Sequence, residues 1–413
     1  MHLNHFLALL LTPVCAFGAF KASVAKRTVT PDLKSATAYI AGFDTGRAAT
    51  GVHDDLWARC VAFEAGNQVV LCGVDSIGLF FDDVAKIRQL VKAKHPAAQV
   101  VVAVTHVHEA PDTMGLWGSQ RGVSGINEAY NDLVVRNTAA AAIDALDSLQ
   151  PARIRAAQAN PPSLKQFYDD SRPPLVIDSA ITAIALETPK GARIATLIHW
   201  TNHPESLGSK NTLITSDYVH YLRDEVERSG GATCVFLNGA IGGMMSPLDA
   251  PIKDYETGQL APVDTFRFAE SVGRPAARIA LAALKSAKSI KADNVSYRES
   301  EVDIPVANKN YLMASAAGIF KGRKPMGGDT PVTRTPVGLF EISASGKPAI
   351  QAAMIPGELY PELSLGLISR DPNADFPDAP LEPGIKSDIL TAPIRMVVGL
   401  ANDEIGYIIP KAQ

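Results

Sequence analysis

Val100-Val101-Val102-Ala103-Val104, followed by Thr105-His106-Val107-His108-Glu109-Ala110-Pro111, is the stretch from which this chain is best read. Its first five residues are apolar and mostly β-branched, which marks a buried strand. That strand runs directly into two histidines. In open α/β sheets, ligands and chemistry collect at the carboxyl ends of strands. Histidine is the commonest metal ligand and the commonest proton-transfer group near neutral pH. Two residues apart on extended backbone, His106 and His108 can present both rings to one side, one as ligand and one as proton shuttle. A bare His-x-His also fits two surface or capping histidines, so the rest of the chain must decide.

Strand and helix patterns alternate from end to end. This points to an α/β fold: a mixed β-sheet core with flanking helices and an active site at the carboxyl ends of its strands. Residues 56–64 and 68–75 read as a hairpin around Ala65-Gly66-Asn67. Residues 82–94, 127–149, 218–229 and 268–288 carry helical periodicity. Further strands are read at 153–159 and 180–186. Four more strands then end as the first does, in polar or glycine-rich turns. They are 194–200 before His203-Pro204, 233–237 before Asn238-Gly239, 351–355 before Glu358, and 396–400 before Asn402 and Tyr407. Such ends recurring within one α/β domain suggest a shared rim. No internal repeat, low-complexity tract or interdomain linker is visible.

At 413 residues the chain can bury a large core. With 46% hydrophobic and 20% charged residues it is globular rather than disordered. A net charge of −4 is too small to suggest a nucleic-acid partner, and Lys321-Gly322-Arg323-Lys324 reads as a solvated loop. Residues 6–20 are almost wholly apolar, and Ala16-Phe17-Gly18 supplies small residues for cleavage before Ala19. Residues 1–18 therefore read as a signal peptide, with His2 and His5 where Lys or Arg is usual, and the protein as secreted or periplasmic. No later stretch is long and apolar enough to span a bilayer. Beyond the leader stand Cys60, Cys72 and Cys234. The odd count and a register that does not place Cys60 opposite Cys72 make all three small buried hydrophobes.

Two histidines and a carboxylate form a common catalytic zinc set with one position left open. His106, His203 and Glu358 can supply it. His199, His220 and His53 compete for the second position, although His199 lies inside an apolar strand, as a hydrogen-bonded core histidine would. His220 falls on a helix and His53 in a loop before a strand. Gly239, Gly242 and Gly243 let backbone approach a ligand and offer N–H groups to a developing oxyanion, though a tight strand-to-helix turn needs the same glycines. Ser246 lacks a GxSxG elbow, and no Walker loop or GxGxxG is present.

Thr105 to Pro111 resembles the THTHSGP motif of the neutral/alkaline, non-lysosomal ceramidases. Gly51-Val52-His53-Asp54-Asp55-Leu56 and Val74-Asp75 resemble that family's early strands. Tyr168-Asp169-Asp170-Ser171-Arg172-Pro173-Pro174, with Val176-Ile177-Asp178, is similar to its shorter bacterial members. His203-Pro204, Ser216-Asp217-Tyr218 and Phe236-Leu237-Asn238-Gly239-Ala240 follow in the same order. So do Pro356-Gly357-Glu358, then Gly399-Leu400-Ala401-Asn402 with Gly406-Tyr407, and the likeness runs from about Ala41 to the C-terminus.

The resemblance implies a zinc-dependent catalytic domain over residues 30–413, with one Zn2+ per chain, that cleaves the amide of N-acylsphingosines. It implies His106, His203 and Glu358 as ligands, with Tyr407 as a further ligand through its phenol oxygen. It makes His108 the acid/base group and Arg172 the arginine facing the reacting carbonyl. Metal-activated water would attack while His108 carries the proton to the leaving amine. Asp75 or Asp217 would orient ligating imidazoles, although a loop or helix-cap role fits Asp217 as well. The expected partner is a small-molecule or lipid amide, with room for peripheral membrane contact and no nucleic acid; no feature reports the oligomeric state. Three departures stand out. Glu109-Ala110 replaces the motif's Ser-Gly, adding a carboxylate, and Gly242-Gly243 stands where the family has Gly-Asp. The family also continues past the Gly-Tyr motif into another tyrosine-bearing segment and an immunoglobulin-like domain, whereas this sequence ends at Gln413. Two other readings stay open: a catalytically silent binding protein on this scaffold, and a metallohydrolase of another amide or ester.

Overall fold

Gly66 turns the first hairpin with φ +73°, a conformation that side chains disfavour. Ala65 thereby faces Asn67, and the register carried back along the strands sets Cys60 opposite Cys72. The two cysteines are joined in a disulfide. This corrects the reading of both as unpaired hydrophobes: the turn centres on one residue, and that register aligns the sulfurs. Cys234 remains a free, buried cysteine. Replacing both Cys60 and Cys72 with Ala should lower unfolding free energy by about 2–4 kcal/mol, the usual contribution of a disulfide. Urea denaturation of the two proteins measures it, and coincident curves would refute it.

The computed structural model describes residues 20–169, 175–243, 245–320, 325–327, 331–366 and 376–412. The expected leader 1–18, Arg172 and the basic stretch 321–324 lie outside the described residues. β1 (Lys21–Thr28), β2 (Trp57–Ala65) and β3 (Asn67–Val74) run antiparallel in turn. Helix α1 (Phe81–Lys94) crosses back so that β4 (Gln99–Val104) lies parallel to β3. Helix α2 (Glu128–Asp147) follows, and Gln150–Pro151 returns to pair with β1.

The second sheet repeats this wiring. β5 (Arg153–Ala159), β6 (Ile181–Glu187) and β7 (Arg193–Trp200) are antiparallel. Helix α3 (Tyr218–Gly230) leads to β8 (Cys234–Asn238), parallel to β7. Helix α4 (Phe266–Lys285) follows, and Ser289–Ile290 returns to β5. The third sheet follows suit without covering helices as long. β9 (Asn294–Pro305), β10 (Val332–Ala344) and β11 (Lys347–Met354) are antiparallel, and β12 (Ile394–Val398) is parallel to β11. The chain thus contains a threefold repeat of topology that its sequence does not display. Repetition of wiring requires only apolar residues at facing positions, and many combinations of residues supply those.

The three sheets face one another. Val61 and Leu71 of the first, Ile184 and Leu197 of the second, and Phe340 and Met396 of the third share one buried cluster. The outer face of the first sheet packs on α1 and α2, and that of the second on α3 and α4. Among the described residues no helix is long and apolar enough to cross a membrane.

A buried ion pair pins the segment between β11 and β12. Lys386 Nζ lies 2.7 and 3.0 Å from the Asp178 oxygens, and Ser364 Oγ donates to Asp178 at 2.8 Å. Burial alone would raise the Asp178 carboxyl, but the Lys386 ammonium and these hydrogen bonds hold it below the usual carboxylate range. A carboxyl lowered by folding stabilises the fold above its unfolded pKa of about 3.9, and that stability is lost as pH falls through the folded value. Between pH 6 and pH 3 the melting temperature of the wild type should therefore fall further than that of an Asp178→Asn, Lys386→Met double variant. Equal slopes in thermal melts would exclude the pair as a source of acid sensitivity.

Candidate metal centre

The parallel strand pairs of the three sheets deliver their ends to one place. Beyond β4, the Thr105 N–H donates to Val74 O at 2.9 Å, and His106 then adopts φ +65°. A non-glycine residue in the left-handed region carries strain of about 1–3 kcal/mol. Here it turns the His106 ring so that its Nδ1–H donates to Ile77 O at 2.6 Å. Beyond β7, Asn202 is held by Asn238 at the end of β8. The Asn238 Nδ2 donates to Thr105 O at 2.9 Å and Asn202 O at 3.0 Å, while its Oδ1 accepts from the Asn202 and Gly239 N–H groups. One side chain thus ties together the ends of β4, β7 and β8. His203 follows at once, with Nδ1 3.3 Å from Met245 O. Beyond β11, Glu358 opens a two-residue parallel pair, Glu358–Leu359 with Tyr407–Ile408. Gly242 lets this segment come close: a Cβ there would stand 2.3 Å from Glu358 O.

The Nε2 atoms of His203 and His106 lie 3.2 and 3.5 Å from the same oxygen, Glu358 Oε2. All three residues are buried. Each imidazole faces an acceptor on both nitrogens, a carbonyl at Nδ1 and the carboxylate at Nε2. A neutral imidazole has one N–H and cannot satisfy both. Against its burial, Glu205 and Glu358 favour a proton on His203, but burial holds His106 below its ordinary value, so the conflict persists there. A cation shared by the two Nε2 lone pairs and Oε2 removes the conflict, and a backbone carbonyl on the far nitrogen is the usual support of a metal-binding histidine. These residues therefore fit a zinc ion. The Tyr407 phenol, half-exposed, lies in hydrogen-bonding reach of Glu358, and burial together with that carboxylate pushes its pKa up.

His108 is the third ring of the cluster. One ring nitrogen from each of His106, His108 and His203 lies within 4.8 Å of the others, and the trio can hold a metal. His108 nevertheless differs from the other two. Neither of its nitrogens has an aligned hydrogen-bond partner among the described residues, and Nδ1 sits 3.2 Å from Glu205 Oε2, out of line. Burial, with His106 and His203 adding to it, holds its pKa well below the ordinary value. The ring is therefore neutral at pH 7, as a general base must be.

The other candidates lie outside the ligand set, His199 as the core histidine and Asp217 as the helix cap that the sequence also allowed. The His199 Nε2–H donates to Val397 O at 2.7 Å inside the core, and burial takes its pKa down to about 4. His53 stacks on Phe266 at 3.7 Å and, like His220, faces Asp54. Asp75 does not orient an imidazole. It accepts from Arg223, at 2.8 and 3.0 Å, and from the Trp57 N–H. Asp217 caps α3 and accepts from Ser206, and backbone carbonyls orient the His106 and His203 rings at Nδ1. Gly242 N–H donates to Leu359 O and Gly239 N–H to Asn238, which removes both as oxyanion donors. The Glu109 carboxyl is fully buried, and burial, then Asp217, pushes it well up towards the neutral form, so it adds less charge than its type suggests. Glu205 was not foreseen. Its one sequence signal is that it follows His203 by two residues, as His108 follows His106.

No family model and no curated protein matches this sequence. Solved structures do match in three dimensions. Neutral ceramidase from Pseudomonas aeruginosa superposes with a TM-score of 0.72 over 94% of this chain and 68% of that one, at 16% identity. The fold is that of neutral ceramidase. A ceramidase complexed with C2 gives a TM-score of 0.71 at 16% identity, covering 94% of this chain and 69% of that chain. The α/β reading and the ceramidase resemblance thus hold at the level of the fold. At this identity the neutral ceramidase likeness concerns the path of the chain, and the chemistry rests on the residues themselves.

Proposed function

We propose that this protein is a zinc-dependent hydrolase that cleaves an amide bond, with an N-acylsphingosine or a related N-acyl amide as substrate. The observation that carries this reading is the convergence of His106 Nε2 and His203 Nε2 on one Glu358 oxygen, with both far nitrogens facing backbone carbonyls. His106, His203 and Glu358 would hold one Zn2+, with Tyr407 adding its phenol oxygen. Bound zinc supplies a Lewis acid for the carbonyl and acidifies water near neutral pH. His108 takes the proton from the attacking water and returns it to the leaving nitrogen. Arg172 offsets the charge that develops on the carbonyl oxygen.

An apolar groove of about 420 Å³ supports an acyl or alkyl chain as part of the substrate. It is lined by Ile304, Val306, Ile405 and Ile408 and reaches Tyr407 beside Glu358. We also propose a secreted or periplasmic location, supported by the Cys60–Cys72 disulfide, since such bonds persist in oxidising compartments.

Elemental analysis of the purified protein, run beside hydrolysis of a fluorogenic N-acylsphingosine with and without chelator, tests the reading. About one zinc per chain with chelator-sensitive cleavage is the expected result. Zinc without cleavage would redirect the substrate to other amides and esters, and no zinc would overturn the proposal.

A further inference from the structure

The feature of the site that the proposed chemistry leaves unused is the buried carboxyl of Glu205. It stands in the turn after His203, where its N–H donates to His203 O and its carbonyl accepts from Gly208 N–H. Only 4% of the residue is exposed. One oxygen, Oε1, has no partner among the described residues, and the other, Oε2, lies 3.2 Å from His108 Nδ1 but out of line with its N–H, so that a small turn of the carboxyl is what completes the bond.

His108 is meanwhile held on every side. Its N–H donates to Pro204 O at 3.1 Å, and its carbonyl accepts from Arg47 at 3.1 Å. Phe43 meets the ring edge-on at 5.0 Å. Gly42 lies so close that a Cβ there would stand 2.6 Å from Nδ1. The imidazole therefore has little room to rotate, and the Nδ1 edge stays towards Glu205. A buried carboxyl oxygen needs a donor, and an imidazole nitrogen facing a carboxylate carries the proton.

We propose that Glu205 is the positioning residue for His108: it accepts the Nδ1–H, fixes that tautomer, and leaves Nε2 as the nitrogen that takes the proton of the attacking water. This assignment rests on the hydrolase reading above for its catalytic consequence, but the tautomer itself does not. It gives His108 a role separate from the zinc ligands, whose Nδ1–H groups are held by main-chain carbonyls.

The test has two arms on the zinc-loaded full chain. In protein carrying ¹⁵N-histidine, long-range ¹H–¹⁵N correlation spectra report which ring nitrogen bears hydrogen, and His108→Gln identifies the His108 signals by their loss. The expected result is Nδ1–H in the wild type and in Glu205→Gln, whose amide oxygen still accepts, and loss of that preference in Glu205→Leu. In the kinetic arm, Glu205→Leu should lower kcat by about 10- to 100-fold with KM little changed, and Glu205→Gln should restore part of it. An Nε2–H tautomer in the wild type, or one unaltered in Glu205→Leu, would overturn the proposal. Absence of turnover in the wild type would instead count against the hydrolase reading and leave the spectra to decide on Glu205.

Discussion

His106→Ala is expected to lose zinc and hydrolysis together, whereas His108→Ala keeps its zinc and loses turnover. The difference follows from what each ring touches. His106 shares Glu358 Oε2 with His203, so removing it opens the set and leaves a buried carboxylate facing one imidazole. The carboxylate that His108 faces is Glu205 rather than Glu358. Loss of a general acid/base typically costs a factor of about 10² to 10⁴ in rate. Metal content and kcat, measured on both variants, decide the matter. Equal loss of zinc in the two would make all three histidines ligands and remove the acid/base role from His108.

The largest effect on stability is expected from Arg223→Leu. Asp75 is fully buried at the end of β3 and accepts both guanidinium N–H groups of Arg223, the Trp57 N–H, and the Thr105 hydroxyl at 3.3 Å. Arg223 reaches it from α3, so this pair joins the first unit to the second directly behind the histidine strand. Taking away the guanidinium leaves a buried carboxylate without its counter-charge, which costs about 3–5 kcal/mol. That is a large part of the 5–15 kcal/mol by which domains are usually stable. The double variant Arg223→Leu, Asp75→Leu should recover much of the loss, because it leaves no unpaired charge. Urea unfolding compares the three proteins, and a cost below about 1 kcal/mol for Arg223→Leu would refute the assignment.

The strands that carry the site were legible because they are buried on both faces and so read as continuous apolar runs, as 100–104 does. Each also stops at a polar turn, which is why His106, His203, Glu358 and Tyr407 stood out before any geometry was known. β9 and β10 were missed for the opposite reason: residues 299–303 of β9 are exposed, and its distal half reads as a charged loop. β1 directly follows the apolar run of residues 6–20 in sequence and has only two buried residues. The Cys60–Cys72 pair was within reach: the hairpin read over 56–64 and 68–75 is symmetric about Gly66 and already sets the two cysteines opposite each other, so only the register drawn from it was wrong. The roles of Ile77 and Met245 had no signal at all, since any residue offers a carbonyl. Asp217 proved to be the helix cap that its sequence position also allowed, whereas the partner of Asp75, Arg223, is fixed only by packing.

The repeated wiring of the three sheets has a thermodynamic corollary. Each unit contributes one member of the proposed ligand set His106, His203 and Glu358, so on that reading all three must be docked before zinc can bind. Binding and docking are then linked in both directions. Free zinc at about 100 times its dissociation constant would add about 2.7 kcal/mol to the docked state. Conversely, any substitution that loosens the shared core around Phe340 and Leu197 should weaken affinity for the proposed zinc. On the proposed zinc reading, affinity for the metal would gauge how firmly the three units are held together.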